Sequence, residues 1–132
     1  MEATETMGKD LRTYLQELLE ARPNDLKIVD RQVDPKWEIT ALIEKLRREQ
    51  QEFPAVLFTN VKGSNLPALI NLAGSFERLA VSIEADVRNM VPEYATREGN
   101  FIPPLEVTKE NAPVQEVVWT GKDVDLTKLP IV

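Results

Sequence analysis

The chain has 132 residues, 42% of them apolar and 29% charged, and a formal net charge of −6. That is enough for one ordinary domain burying roughly two-thirds of its unfolded surface, and the balance argues against disorder. An acidic chain without clustered Lys and Arg is a poor partner for nucleic acid or an anionic membrane, and the absence of Cys and His excludes disulfides, thiolate nucleophiles, Ser-His pairs and His- or Cys-anchored metal sites.

The first nine residues carry no apolar period and read as a loose acidic arm without a signal-peptide core. Asp10 then caps an expected helix with apolar positions Leu11, Leu15, Leu18 and Leu19, which Pro23 ends. Leu26 to Val29 is a short strand. Asp34-Pro35 starts a second helix, running to about Gln50 with the stripe Ile39, Leu42, Ile43 and Leu46. Its basic cluster Lys45, Arg47 and Arg48 lies among Glu44, Glu49 and Glu52, which marks a solvated face.

Ala55 to Asn60 reads as a buried strand, residues 61–67 as a loop of turn formers, and Ala68 to Leu72 as a second apolar run. Ser75 caps a third helix with Glu77 in its first turn and Phe76, Leu79, Ala80 and Ile83 as the expected buried stripe. A further helix falls within Glu84 to Arg97. Gly99 to Pro104 breaks the pattern, and Leu105 to Val107 leads into an alternating segment, Val114 to Trp119. The order predicts α/β (α+β) packing, with helices covering a small mixed sheet. No apolar run approaches the roughly 20 residues that span a bilayer, so a cytoplasmic location is expected.

Few residues suggest chemistry. Lys62-Gly63-Ser64-Asn65 could cradle a phosphate, but it joins two apolar runs and lacks P-loop spacing, so a strand connection is the simpler reading. Gly74-Ser75 opens a helix, where capping is the commoner role. Asp123 and Asp125 would share one side of an extended segment and could face a divalent cation, although two carboxylates make no full ligand set. Asp30 and Asp34 flank another charged stretch. Trp37 and Trp119 suit a core or an interface better than a stacking platform.

Five blocks in order resemble the N-terminal region of the UbiD-like decarboxylases. They are Asp10-Leu11-Arg12-Thr13-Tyr14-Leu15, Val33-Asp34-Pro35-Lys36-Trp37-Glu38-Ile39-Thr40-Ala41, Phe58-Thr59-Asn60-Val61-Lys62-Gly63-Ser64, Asn71-Leu72-Ala73-Gly74-Ser75-Phe76-Glu77-Arg78-Leu79-Ala80, and Ala112-Pro113 through Leu129-Pro130-Ile131. The resemblance implies an arm at 1–9, an N-terminal α/β domain at 10–107, and at 108–132 a linker with the first strand of a missing flavin-binding split-barrel domain. It implies an enzyme that adds or removes carboxyl groups on unsaturated or aromatic acids with prenylated FMN and a divalent metal, Mn or Mg.

The family's Asn, His and Glu metal ligands and its catalytic Glu-Arg-Glu set match no position here, so no catalytic, cofactor-binding or metal role is carried over. The implied partners are a flavin-binding domain or subunit and a small carboxylic acid substrate, in a homo-oligomeric full-length form. The chain alone is expected to be inactive. Two other readings stay open: a naturally short accessory subunit of a separate flavin-binding decarboxylase, and an unrelated α/β module taking a phosphorylated ligand at Ser75 or the Lys62 loop.

Overall fold

The computed structural model describes residues 9–51, 53–104 and 106–131. The expected arm, apart from Lys9, lies outside the described residues, as do Glu52, Leu105 and Val132. In chain order the elements are α1 (Leu11–Ala21), β1 (Leu26–Val29), α2 (Glu38–Lys45) running into a π-helical turn (Leu46–Gln50), β2 (Ala55–Phe58), β3 (Ala68–Ile70), α3 (Phe76–Ser82) and α4 (Met90–Arg97). Four short 3₁₀ turns follow, between Lys109 and Lys128.

The sheet is mixed, in the order β1-β2-β3. β1 and β2 are parallel, with Leu26 opposite Ala55, and α2 makes the crossover that a parallel pair requires. β3 returns antiparallel, with Val56 opposite Ile70. Period-two alternation sends β2 side chains to both faces. Val56 and Phe58 join Val33, Ile39, Val61 and Ala68 in a cluster under α2. Ala55 belongs to the opposite cluster, with Tyr14, Leu18 and Leu26, against which Leu57, Leu69 and Val81 pack. Helices therefore cover both faces, as the element order predicts.

Several local expectations need correction. In α1 Leu11 and Leu19 are 52% and 39% exposed, and the buried positions are Tyr14 and Leu18. The stripe is rotated so that the tyrosine ring is buried while its hydroxyl reaches a backbone carbonyl. Regular α2 begins at Glu38, not at Pro35. The Asp34 carboxylate accepts from Lys36 N–H at 3.0 Å, and Asp34 N–H donates to the Glu38 carboxylate at 2.8 Å, which closes a turn ahead of the helix. In α3 Phe76 is 67% exposed, and Arg78 takes the buried place at 2%.

The Val114 to Trp119 segment forms no strand: Pro113–Gln115 is a 3₁₀ turn and the residues after it are irregular. Alternation specifies a face, but a strand also needs a partner edge, and none of β1, β2 or β3 pairs with this segment. Among the described residues no helix is long and apolar enough to cross a membrane.

Candidate functional site

Two places gather polar or conformationally special residues. The first is the turn between β3 and α3. Asn71 has φ of +60°, a left-handed conformation that Asn tolerates better than most residues, and its side-chain amide donates to the carbonyls of Phe53 (3.0 Å) and Pro54 (2.9 Å). The buried Arg78 guanidinium donates to Leu72 O (3.1 Å), Phe53 O (2.9 Å) and Asn71 O (3.3 Å). Tyr14 Oη donates to Arg78 O at 3.1 Å, tying α1 to α3, and burial pushes the Tyr14 phenol above its ordinary pKa. Gly74 completes the clasp, since a Cβ there would fall 2.7 Å from Arg78 Nη2 and collide with the Asn71 amide oxygen. A charge that spends its donors on backbone carbonyls orders a turn; it is not presented to a substrate.

The second place is a groove of about 760 Å³ between the β2–β3 loop and the C-terminal segment. Gly63 (φ +82°), Ser64, Asn65 and Leu66 form one wall, and Val117, Trp119, Leu126, Lys128 and Leu129 the other. Ser64 Oγ donates to Lys128 O at 2.8 Å and accepts from Leu66 N–H at 3.1 Å, so one hydroxyl both sets the turn and latches the segment. The Lys128 ammonium lies 5.3 Å from the centre of the Trp119 ring, within cation–π range. The volume suits a ligand or an inserted side chain, and the lining is mostly apolar.

The residues singled out in the sequence do not converge. Lys62 pairs with Asp34 at 2.9 Å, which raises the Lys62 pKa and lowers that of Asp34, and Lys62 does not line the groove. Ser75 caps α3 by accepting from Arg78 N–H at 3.2 Å. Asp125 accepts from Thr127 N–H at 3.0 Å and from its hydroxyl at 2.6 Å, which holds its carboxyl below the usual range. Asp123 ends a separate 3₁₀ turn, so the two carboxylates do not share an extended face. Trp37 is 74% exposed and Trp119 40%, which removes both from the core. Asp30 lies in the irregular link after β1. Among the described residues no three acidic side chains are grouped to hold a metal.

Residues 17–98 match the family described as the 3-octaprenyl-4-hydroxybenzoate carboxy-lyase N-terminal domain (UbiD). Three solved structures carry the same fold. An evolved dimeric form of the UbiD-class enzyme HmfF from Pelotomaculum thermopropionicum, in complex with prFMN, is 32% identical with a TM-score of 0.71, over 90% of this chain and 26% of that one. The open form of Sedimentibacter hydroxybenzoicus vanillic acid decarboxylase, with truncated ShVdcD, is 30% identical with a TM-score of 0.72, over 92% of this chain and 26% of that one. Apo Klebsiella pneumoniae 3,4-dihydroxybenzoic acid decarboxylase (AroY) is 26% identical with a TM-score of 0.75, over 92% and 27%. The chain thus spans about a quarter of the length of the solved structures it matches.

Proposed function

The chain belongs to the UbiD family through its N-terminal domain, and from that premise we propose that it is the non-catalytic N-terminal portion of a UbiD-like carboxy-lyase, supporting a flavin-binding unit. That unit would bind prenylated FMN with Mn or Mg and reversibly decarboxylate an unsaturated or aromatic acid, in a homo-oligomeric enzyme of the cytoplasm. Residues 10–107 are the supporting domain, and residues 108–132 lead into the flavin-binding unit.

The observation that carries this reading is the combination of a fold match over 90–92% of the chain with a donor set unsuited to the cofactor. The groove lining holds Ser64, Asn65 and Lys128 as its polar side chains and no carboxylate. A divalent metal bridging to a flavin phosphate needs several oxygen ligands, so these residues do not fit the group, and no chemical step is assigned to them.

The test is to sequence genomic DNA beyond the codon for Val132. An open frame of several hundred codons containing histidine and a spaced Glu-Arg-Glu set supports the reading. An immediate stop beside a gene for a flavin-binding partner turns the protein into an accessory subunit. A stop with no such neighbour defeats both.

A further inference from the structure

Every buried side chain among the described residues lies between Tyr14 and Ala80. Of the twenty exposed large apolar side chains among the described residues, thirteen lie from Val87 onward. α4 shows the pattern most clearly. Val91 and Tyr94 fall at i and i+3, on one side of the helix, and are 74% and 59% exposed, and Val87 in the turn before it is 40% exposed. Just beyond α4, Phe101 and Ile102 are 87% and 88% exposed. α4 is held to the rest of the chain by its last turn, where Arg97 donates to Ile83 O. Scattered apolar residues are ordinary on a surface; a helix with an apolar stripe and no buried residue is not.

The solved relatives extend well beyond the length of this chain. An overlap of 90–92% leaves out about a tenth of this chain, far fewer residues than lie between 87 and 131. The segment's fold therefore recurs in proteins of which this chain spans 26–27%. In those proteins there is additional polypeptide to cover it.

Resting on the function proposed above, we infer that Val91 and Tyr94 of α4, with Val87 in the preceding turn, form a docking face for the flavin-binding unit. Residues 87–131 become ordered against that unit, whereas residues 14–80 are stable through their own core. The charged residues of α4, Glu93 and Arg97, pair with each other at 3.1 Å and leave Val91 and Tyr94 as its distinctive surface. Docking of this kind couples ordering to binding, so the segment's amides should exchange rapidly in the isolated chain and slowly in the assembly.

The experiment compares hydrogen exchange in the isolated chain with that in a chimera, in which this chain replaces the matching N-terminal quarter of the P. thermopropionicum HmfF chain. Flavin content is measured in parallel by absorbance with FMN as the probe. The expected result is that peptides from 87–104 exchange at least tenfold more slowly in the chimera. V91E combined with Y94E should restore fast exchange there while leaving the melting temperature of the isolated chain unchanged. Equal exchange at 87–104 in the isolated chain and in an FMN-loaded chimera overturns the docking face. A chimera whose 14–80 core is protected but which retains no FMN defeats instead the reading that this domain supports a flavin-binding unit, and the docking face with it.

Discussion

Replacing Arg78 with Met tests whether the buried guanidinium holds the β3–α3 turn. Methionine keeps much of the apolar stem, so the loss is concentrated in three hydrogen bonds to the carbonyls of Leu72, Phe53 and Asn71. The three acceptors are affected unequally. Phe53 O keeps its bond from the Asn71 amide, and Asn71 O keeps the Gly74 N–H at 3.3 Å, but Leu72 O loses the Nε donor outright. Bonds from charged donors are worth about 1.5–3 kcal/mol each, and an orphaned buried acceptor costs about 1–3. One orphan and two weakened sites give an expected destabilisation of about 2–4 kcal/mol. For a core of this size that lowers Tm by roughly 10–20 °C, readable by calorimetry or urea unfolding. Arg78→Lys should rescue little, because one ammonium cannot span carbonyls on two loops. A loss below about 1 kcal/mol for Arg78→Met would refute the reasoning.

The same geometry predicts a sign for coupling. Phe53 O accepts from both Asn71 and Arg78, so either single replacement leaves it one donor and only the double replacement leaves it none. Asn71→Ala with Arg78→Met should therefore destabilise by about 1 kcal/mol more than the sum of the single changes. Strict additivity would show that water satisfies this carbonyl in the double variant.

Gly74→Ala should cost about 1–3 kcal/mol in a denaturation series, since its Cβ collides with the Asn71 and Arg78 side chains and not with open space. The same change at Gly99, where a Cβ meets nothing within 4 Å, should be close to neutral, so equal effects at the two sites would undo the argument. Tyr14→Phe removes the hydroxyl bond to Arg78 O but keeps the ring, with an expected loss of about 0.5–1.5 kcal/mol. Glu38 is held below its ordinary value of 4.5 by Asp34 N–H and then by Arg31, and Asp34 below 3.8 by Lys62 and then by Lys36 N–H. Their ionised forms favour folding above those values, and that contribution is lost as pH falls through the lower folded pKa values. With no histidine in the chain, Tm should stay flat from pH 8 to about 5.5 and fall below about 4.5; Glu38→Gln should shallow that fall.

Helix starts were legible where one side chain caps one nearby N–H. Asp10 accepts from Thr13 N–H at 2.8 Å and Ser75 from Arg78 N–H, both within three residues and both readable from residue type. The faces were less legible. Leucine periodicity in α1 favoured Leu11 and Leu19, whereas the true inward face follows Tyr14, whose hydroxyl meets a carbonyl 64 residues away. Arg78 was missed because burying a guanidinium depends on carbonyls from two separate loops converging, and no local period encodes that. Asn71, Gly74 and Arg78 together could have hinted at it: an Asn suited to a left-handed turn, then a residue too small to obstruct, then a multidentate donor on the following helix turn.

The groove was illegible for a related reason. Its walls come from residues 63–66 and 117–129, far apart in sequence, and Ser64 bonding to Lys128 O brings them together. Alternation in Val114 to Trp119 was read as a strand, yet period two states only that successive side chains want different surroundings. Here Val114, Val117 and Val118 are 81%, 67% and 60% exposed, and none of β1, β2 or β3 pairs with them. On the reading proposed above, these apolar side chains belong to a surface that the flavin-binding unit covers. On that reading the local pattern misleads about conformation while still marking an exposed apolar surface, as Val91 and Tyr94 do on α4.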